Sequence, residues 1–329
     1  MSTQRPSGLD LVDPALGAQL DLGLAATEIA LRESVRSDYP FITEASRHLV
    51  DAGGKRFRPL LVLLAAHFGD PDAPGVIPSA VLVELTHLAT LYHDDVMDEA
   101  PLRRGAASAN ARWDNTVAIL TGDFLFAKSS AILADLGPEA VRVQARTFER
   151  LCTGQIRESV GPELDEDPVK HHLAVLADKT GSLIAACGTY GAMAAGTSID
   201  IKNTLTEFGE RIGVAFQLAD DLVDISSGTE QSGKTPGTDL REGVPTLAGL
   251  IAMESGDARL RDLLSRPLHD NAEHAEALTL LRGHPAIAEA RSVARKWADD
   301  ARATLSALPS GSPRDALGFL CDYVVTRTG

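Results

Sequence analysis

Apolar residues recur along most of the chain at the three- and four-residue spacing of an amphipathic α-helix. No stretch shows the strict alternation of apolar and polar residues that marks a half-buried strand. The pattern therefore predicts an all-α fold. The predicted helices cover residues 16–38, 41–51, 57–68, 79–100, 114–134, 138–159, 168–196, 201–226, 244–254, 257–265, 271–282, 285–307 and 312–325.

The ends and gaps of this pattern predict how the chain is organised. Residues 1–15 lack the periodicity, so we expect a flexible N-terminus. No repeat or Pro/Ser-rich linker divides the remainder, which predicts a single domain over residues 16–329. The polar, glycine-rich segment 226–243 predicts a mobile loop, and loops of that length are often functional.

Composition narrows the classes of protein. Aromatic residues make up only 5% of the chain, which favours helices over sheets. A net charge of -15 disfavours nucleic-acid partners and requires a local basic cluster for any anionic ligand. Three widely spaced cysteines fit a reducing compartment, and the start of the chain lacks a signal-peptide pattern. Because the longest apolar run, Pro59–Ala66, is too short to span a membrane, we expect a cytoplasmic protein without a transmembrane segment.

An acidic cluster ends the predicted helix 79–100. Asp94 and Asp98 lie one turn apart on one face, Asp95 lies beside them, and His87 precedes them by two turns. Carboxylates at a helix C-terminus oppose the helix dipole and each cost about 0.3 to 1 kcal/mol. Taken alone, such a cluster is as readily a solvated helix end as a metal site.

A second acidic cluster, Asp220, Asp221 and Asp224, ends the predicted helix 201–226, with Gln217 one turn before it. Two such clusters, each followed by basic residues, favour a shared divalent cation site. Oxygen ligands without a Cys/His set indicate Mg²⁺, which bridges carboxylates to substrate phosphates.

Basic residues lie close to both clusters. The stretch DAGGKRFRPLL places Lys55, Arg56 and Arg58 after two glycines at a helix start, which is a plausible seat for an anion. Further cations are Arg103, Arg104, Lys179 and Lys234. His87 is equally consistent with a packed core histidine and with a ligand to this group. No nucleophile elbow, P-loop or zinc motif is present, so the pattern indicates electrostatic ionisation of a diphosphate ester.

The motifs GGKRFRP, LYHDDVMD, RRG, GDFLFA, DKTGSL, FQLADDLVD and GKTPGTDLREG, in this order over residues 40–250, together resemble the trans-polyprenyl diphosphate synthases. The resemblance implies one all-α domain around a central cavity, a homodimer, and condensation of isopentenyl diphosphate with an allylic diphosphate. The resemblance also implies proton loss to pyrophosphate after the new bond forms, and a hydrophobic product that partitions to membranes.

The resemblance also assigns roles to individual residues. It implies about three Mg²⁺ ions. The metal ligands it implies are Asp94, Asp98 and Asp220, supported by Asp95, Asp221 and Asp224. The residues implied to bind the allylic diphosphate are Arg103, Lys179 and Lys234, with Thr180 and Gln217 beside the allylic cation. Those implied to bind isopentenyl diphosphate are Lys55, Arg58, His87 and Arg104.

Two positions depart from the family pattern. Val244 stands where many relatives carry Lys, which could lower affinity for a diphosphate, and Glu158 stands where some carry Asp, which we expect to be harmless. Product length in the family depends on bulk four or five positions before the first acidic motif. Thr90 and Ala89 are both small, so we expect a long-chain type with a product of about C30 to C50, geranylgeranyl or farnesyl length being the alternative.

Other classes explain the motifs less well. A terpene cyclase would normally carry a second motif that mixes Asn or Asp with Ser/Thr and Glu rather than DDLVD. A non-catalytic subunit of a two-component synthase would lose the metal ligands, which are intact here. A plain acidic helical binding protein would give no reason for the ordered basic motifs.

Overall fold

The computed structural model describes residues 12–226 and 236–326, and the all-α prediction is confirmed for them. The helices in the first half are α1 Pro14–Ser34, α2 Pro40–Asp51, α3 Phe57–Ala66, α4 Val76–Met97, α5 Ala109–Arg112, α6 Asn115–Leu136 and α7 Pro138–Val160. Those in the second half are α8 Pro168–Leu176, α9 Ser182–Ala194, α10 Ile199–Ser226, α11 Thr238–Glu242, α12 Leu247–Glu254, α13 Ala258–Leu264, α14 Asn271–Arg282, α15 Ala286–Thr304 and α16 Ser312–Thr326. A π-helical turn, Ala177–Gly181, joins α8 to α9, and a 3₁₀ turn, Leu305–Ala307, follows α15.

The chain folds into two compact units, each assembled from separate stretches of sequence. Unit 1 consists of Met1–Phe148, Leu183–Gly209 and Thr304–Phe319. Unit 2 consists of Glu149–Ser182, Glu210–Ala303 and Leu320–Gly329. The expectation of one domain over residues 16–329 around a central cavity stays a prediction.

Helix α4 is the central element of unit 1, where it packs against α1, α3 and α6. It is apolar on most of its surface, as expected of a helix enclosed by others. Tyr92 on this helix is completely buried, yet its hydroxyl is satisfied because it donates to the Ala45 carbonyl at 2.6 Å and accepts from the Leu49 amide at 3.3 Å. These bonds join α4 to α2.

The end of α4 presents the first basic pair. The helix ends at Met97, Glu99 takes a left-handed φ of 48°, and a short antiparallel hairpin follows. Its strands, β1 Leu102–Arg103 and β2 Ala106–Ala107, pair Leu102 with Ala107 and Arg103 with Ala106. No alternating pattern marked this hairpin in the sequence, because strands of two residues are too short for alternation to appear.

Unit 2 has its own apolar core. Leu218, Leu222 and Ile225 on α10 pack with buried residues of α12, α13 and α14. Helix α8 packs against α12. It begins where predicted, since the Asp167 side chain accepts from the Val169 and Lys170 amides and Pro168 occupies the first turn.

Other boundaries differ from the sequence pattern. The predicted helix 168–196 is divided by the π-helical turn. Helix α1 begins at Pro14 because Asp13 caps it, and residues 1–11 of the expected flexible N-terminus lie outside the described residues. In the predicted loop 226–243, α11 is helical, and residues 227–235 lie outside the described residues.

One helix among the described residues, α6, is long and apolar enough to cross a membrane by length and composition alone. Its most apolar window has a mean hydropathy of 1.5 and is 33% buried. Core helices of globular proteins pass the same test, so this is weak evidence, and the described residues contain no clear membrane span.

Candidate active site

The first acidic cluster lies at the C-terminal end of α4 in unit 1. Asp98 is exposed, Asp94 is half-buried, and Asp95 is completely buried. The one-turn spacing predicted for Asp94 and Asp98 is therefore realised on the solvent side of the helix. Asp95 points into the protein instead.

The buried Asp95 is paired with the first arginine of the hairpin. Arg103 Nε donates to Asp95 Oδ1 at 2.5 Å, and Arg103 Nη2 lies 3.8 Å from Asp98 Oδ2. Burial raises the pKa of the Asp95 carboxyl, and Arg103 opposes that shift. Asp95 thus holds Arg103 beside the acidic cluster.

The hairpin turn directs its two arginines to different places. Arg104 and Gly105 are the central turn residues and have φ values of 53° and 76°, as a type I′ turn requires. Arg103 turns toward Asp95, whereas Arg104 Nη1 donates to the Leu49 carbonyl at 3.0 Å and to the Gly53 carbonyl. The second arginine therefore reaches the end of α2 and the glycine turn that follows it.

His87 lies among the cations of unit 1. Burial, followed by Arg58, Arg104 and Arg103, lowers the pKa of its imidazole well below 6.5. Arg56 acts in the same direction. The imidazole of His87 therefore lies in a positive electrostatic environment, and its role as a ligand or as a packed core histidine stays a prediction.

The second acidic cluster lies at the C-terminal end of α10 in unit 2 and repeats the pattern of the first. Asp220 is exposed, Asp224 is half-buried, and Asp221 is buried. Burial raises the pKa of Asp221 to about 7, the hydrogen bond from Gln217 opposes this shift, and the neighbouring carboxylates of Asp220 and Asp224 add to it. Asp224 Oδ2 also accepts from the Asp239 amide at 3.3 Å, at the start of α11.

A chain of hydrogen bonds links three predicted site residues in unit 2. Thr180 Oγ1 donates to Gln217 Oε1 at 3.0 Å, and Gln217 Nε2 donates to Asp221 Oδ1 at 3.0 Å. His172 Nε2 lies 3.9 Å from the other oxygen of Asp221. The amide orientation of Gln217 is therefore fixed by its neighbours, with its oxygen toward Thr180.

The π-helical turn carries both Lys179 and Thr180. Lys179 Nζ donates to Glu158 Oε2 at 2.5 Å. Gly154 on α7 permits the close approach, because a Cβ there would lie 2.7 Å from the Lys179 amide nitrogen. Single π-helical turns are frequent at functional sites, and here the turn places two predicted site residues in succession.

The remaining predicted residues fall in different surroundings. Lys55 is exposed beside the glycine turn. Ala89 is completely buried, whereas Thr90 is half-buried and donates through Oγ1 to the His87 carbonyl at 2.8 Å. Val244 is half-buried in unit 2. Lys234 lies outside the described residues.

The donor set fits a hard divalent cation. The outer residues of each cluster offer only carboxylate oxygens, as Mg²⁺ prefers. Within the described residues, no group of three or more Asp, Glu, His or Cys side chains is close enough to hold an ion by itself. An ion bound here would take ligands from water or substrate oxygens, which is how Mg²⁺ usually binds.

The carboxylate partners of Arg56 and a second cluster around Arg150 were not predicted from the sequence. In unit 1, Arg56 lies between the carboxylates of Glu28 and Glu84. In unit 2, Arg150 Nε donates to Asp178 Oδ1 at 2.8 Å and Arg150 Nη2 to Glu210 Oε1 at 2.9 Å, beside the π-helical turn. The available signal was a charged residue inside an apolar helix, since Glu84 stands one turn before His87.

Known proteins resemble this chain over most of its length. The model of the polyprenyl synthetase family matches residues 39–281. The nonaprenyl diphosphate synthase of Mycobacterium tuberculosis is 49% identical over 327 residues, which cover 98% of each chain.

Solved structures resemble the chain over nearly its whole length. The geranylgeranyl pyrophosphate synthase of Corynebacterium glutamicum, complexed with calcium and isoprenyl diphosphate, has a TM-score of 0.85 and 44% identity, with 96% of this chain and 98% of that chain covered. A decaprenyl diphosphate synthase of Rhodobacter capsulatus has a TM-score of 0.87 and 33% identity, with coverage of 96% and 99%. The fold is thus the all-α isoprenoid synthase fold. The chain belongs to the polyprenyl synthetase family and is a prenyltransferase.

Proposed function

We propose that the chain condenses isopentenyl diphosphate with an allylic prenyl diphosphate to give an all-trans polyprenyl diphosphate. The observation that carries the proposal is the group of cations at the glycine turn, where Arg104 donates to the Gly53 carbonyl beside the exposed Lys55, in a chain whose net charge is -15. A local group of cations on an acidic protein attracts a multiply charged anion, and a diphosphate has that charge. The two acidic clusters then serve the second diphosphate.

Each substrate has its own set of cations in this proposal. Isopentenyl diphosphate is bound by Lys55, Arg58, His87 and Arg104. The allylic diphosphate is bound by Arg103, Lys179 and Lys234. Because Arg103 and Arg104 are neighbours in one turn but direct their guanidiniums to different partners, a single hairpin serves both sites.

The divalent ion in the proposal is Mg²⁺, held chiefly by Asp94, Asp98 and Asp220. When bound, Mg²⁺ supplies Lewis-acid stabilisation of the departing diphosphate, with about three ions expected from the resemblance. Asp95 and Asp221 support these ligands from the protein interior, since each is buried and hydrogen-bonded to a side chain of the substrate site. Asp224 supports Asp220 and anchors α11.

The protein's own groups guide the chemical step. Arg103 and Lys179 neutralise the diphosphate as its carbon–oxygen bond breaks. Oxygen atoms of Thr180 and Gln217, held in order by their mutual hydrogen bond, lie ready to stabilise the allylic cation. The double bond of isopentenyl diphosphate then forms the new carbon–carbon bond, and the proton that is lost passes to the departed pyrophosphate.

The proposed product is long, about C30 to C50, because neither Thr90 nor Ala89 is bulky enough to stop a growing chain. The family relatives include synthases of nonaprenyl and decaprenyl diphosphates, which supports this length, and also a geranylgeranyl synthase. A product of this kind is apolar enough to partition to membranes, while the enzyme is proposed to be cytoplasmic.

The proposed assembly is a homodimer that covers α6. This helix is apolar, yet Leu120 and Ile119 on its surface are 60% and 43% exposed. Apolar surface of this extent on a long helix favours burial against a second copy. Sedimentation of the wild type and of Leu120→Glu tests this: a dimer that the substitution converts to monomer supports it, and a wild-type monomer contradicts it.

Prenyl transfer is tested by incubating the purified chain with labelled isopentenyl diphosphate, farnesyl or geranylgeranyl diphosphate, and Mg²⁺. The proposal predicts labelled prenyl products of about C30 to C50 from the single chain. Products that stop short of C30 would contradict the length, and no product at all would contradict the activity.

A further inference from the structure

The Arg56 side chain lies in the interior of unit 1 between two carboxylates. Its Nε donates to Glu28 Oε2 at 2.8 Å and its Nη2 to Glu28 Oε1 at 3.2 Å. Its Nη1 donates to Glu84 Oε1 at 2.8 Å. The Arg56 and Glu84 side chains are each 3% exposed. Burial disfavours the charged guanidinium, but Glu84 and Glu28 outweigh it and raise the pKa of Arg56.

The same guanidinium holds the chain between α2 and α3. Arg56 Nη2 donates to the Val50 carbonyl at 3.1 Å, near the C-terminal end of α2. Such carbonyls have no partner within their own helix, and a cation there also meets the negative end of the helix dipole. Arg56 itself has a left-handed φ of 47°. The Arg56 side chain is buried, while that of its neighbour Lys55 is exposed.

The Arg104 guanidinium also hydrogen-bonds to this turn. Arg104 donates to the carbonyls of Leu49 and Gly53, and its Nη2 lies 3.8 Å from Glu84 Oε1. A Cβ on Gly54 would lie 3.1 Å from both Arg56 Nη1 and Arg104 Cζ, so the two side chains enclose the turn. Glu84 thus balances two cations that converge on one short segment.

We infer that Arg56 is a positioning residue for isopentenyl diphosphate. It fixes the turn that presents Lys55 and Arg58, and through Glu84 it sets the place of Arg104. This inference rests on the proposed function. Because Arg56 is enclosed by protein, it acts through these groups and not by contact with a substrate. Removing the Arg56 side chain should weaken binding of isopentenyl diphosphate and leave binding of the allylic diphosphate unchanged.

The test compares Arg56→Met with Arg32→Met. Arg32 also pairs with Glu28, at 3.2 Å, and its Nε lies 3.6 Å from Asp51 Oδ1 on α2, but its side chain is 42% exposed. We expect Arg56→Met to raise KM for isopentenyl diphosphate about tenfold or more, with kcat and KM for the allylic substrate within about threefold. Arg32→Met should leave all three constants near wild type.

Calorimetric titration with isopentenyl diphosphate in the absence of Mg²⁺ should show that Arg56→Met binds this substrate about tenfold more weakly than the wild type. If that variant does not fold, Glu28→Gln is tested instead. This substitution keeps the buried Arg56 cation and its bond to Glu84 while weakening its pairing with residue 28. We expect about a threefold rise in the same KM. An unchanged KM in a folded variant, or equal rises for both substrates, overturns the inference. A wild type without prenyl transfer would instead overturn the proposed function.

Discussion

Asp95 Oδ1 accepts a 2.5 Å hydrogen bond from Arg103 Nε, and the Asp95 side chain is completely buried. The middle aspartate of the first acidic cluster thus holds a cation, while its neighbours Asp94 and Asp98 lie toward solvent. The second cluster repeats this division, since Asp221 is buried and accepts from Gln217. Within each cluster, the outer residues suit metal binding and the middle residue suits positioning.

This division predicts different effects of two matched substitutions. Asp95→Asn should cost about 3 kcal/mol of unfolding free energy because it breaks a buried ion pair. It should lower kcat at saturating Mg²⁺ without changing the Mg²⁺ concentration that gives half-maximal rate. Asp94→Asn should raise that concentration and cost little stability. Denaturant unfolding and Mg²⁺ titration of the rate measure both, and equal Mg²⁺ requirements for the two variants would refute the division.

The absence of a side chain at Gly154 allows the π-helical turn to approach α7 closely, and a substitution there tests whether this contact is required. A Cβ at this position would lie 2.7 Å from the Lys179 amide nitrogen, so Gly154→Ala must displace the turn or the helix. We expect a loss of about 1 to 3 kcal/mol in stability together with a lower kcat. Gly283→Ala, where the nearest atoms would be 3.8 Å from the new Cβ, is the control. Wild-type kinetics for Gly154→Ala would show that the close approach is unnecessary.

His87 predicts a pH dependence of stability. Its folded-state pKa lies below 6.5, so the unfolded chain binds the proton first as the pH falls. The stability associated with the neutral imidazole is fully present above about pH 6.5 and is lost as the pH falls toward the lower folded-state pKa. Between pH 7 and pH 5.5, the free energy of unfolding measured with denaturant should therefore fall more for the wild type than for His87→Gln.

Pyrophosphate provides the second half of this test. An anion bound beside His87 should raise its pKa, so added inorganic pyrophosphate should flatten the wild-type pH dependence and leave that of His87→Gln nearly unchanged. If the unfolding free energies of the two proteins depended identically on pH, with or without pyrophosphate, this account of His87 would be contradicted.

Thr90 is the better position at which to test product length. Ala89 is completely buried, and its carbonyl lies 3.1 Å from where a Gly122 Cβ would be, so Phe at Ala89 would overpack the contact between α4 and α6. Thr90 is half-buried. Thr90→Phe should therefore shorten the product with little loss of stability, and Thr90→Ser should leave it unchanged. Chromatographic sizing decides, and an unaltered distribution for Thr90→Phe would remove the basis for the length proposal.

The sequence pattern predicted the ends of α4 and α10 to within three residues because their apolar periodicity is long. It could not predict that Asp95 and Asp221 would be buried, since burial depends on the neighbours that each helix face meets. The turn at Arg104 and Gly105 was also missed, because a type I′ turn usually carries Asn or Gly at its first central position. The inward turn of Arg56 depends on Glu28 and Glu84, two carboxylates distant in sequence.

The central claim is that both acidic clusters hold one allylic diphosphate through Mg²⁺. A crystal structure of the chain with Mg²⁺ and a non-hydrolysable thio analogue of farnesyl diphosphate tests it most directly. The account predicts ions on a single diphosphate that are coordinated by Asp94 and Asp98 on one side and by Asp220 on the other. A diphosphate bound through only one cluster, or with no ion between protein and phosphate, would contradict it.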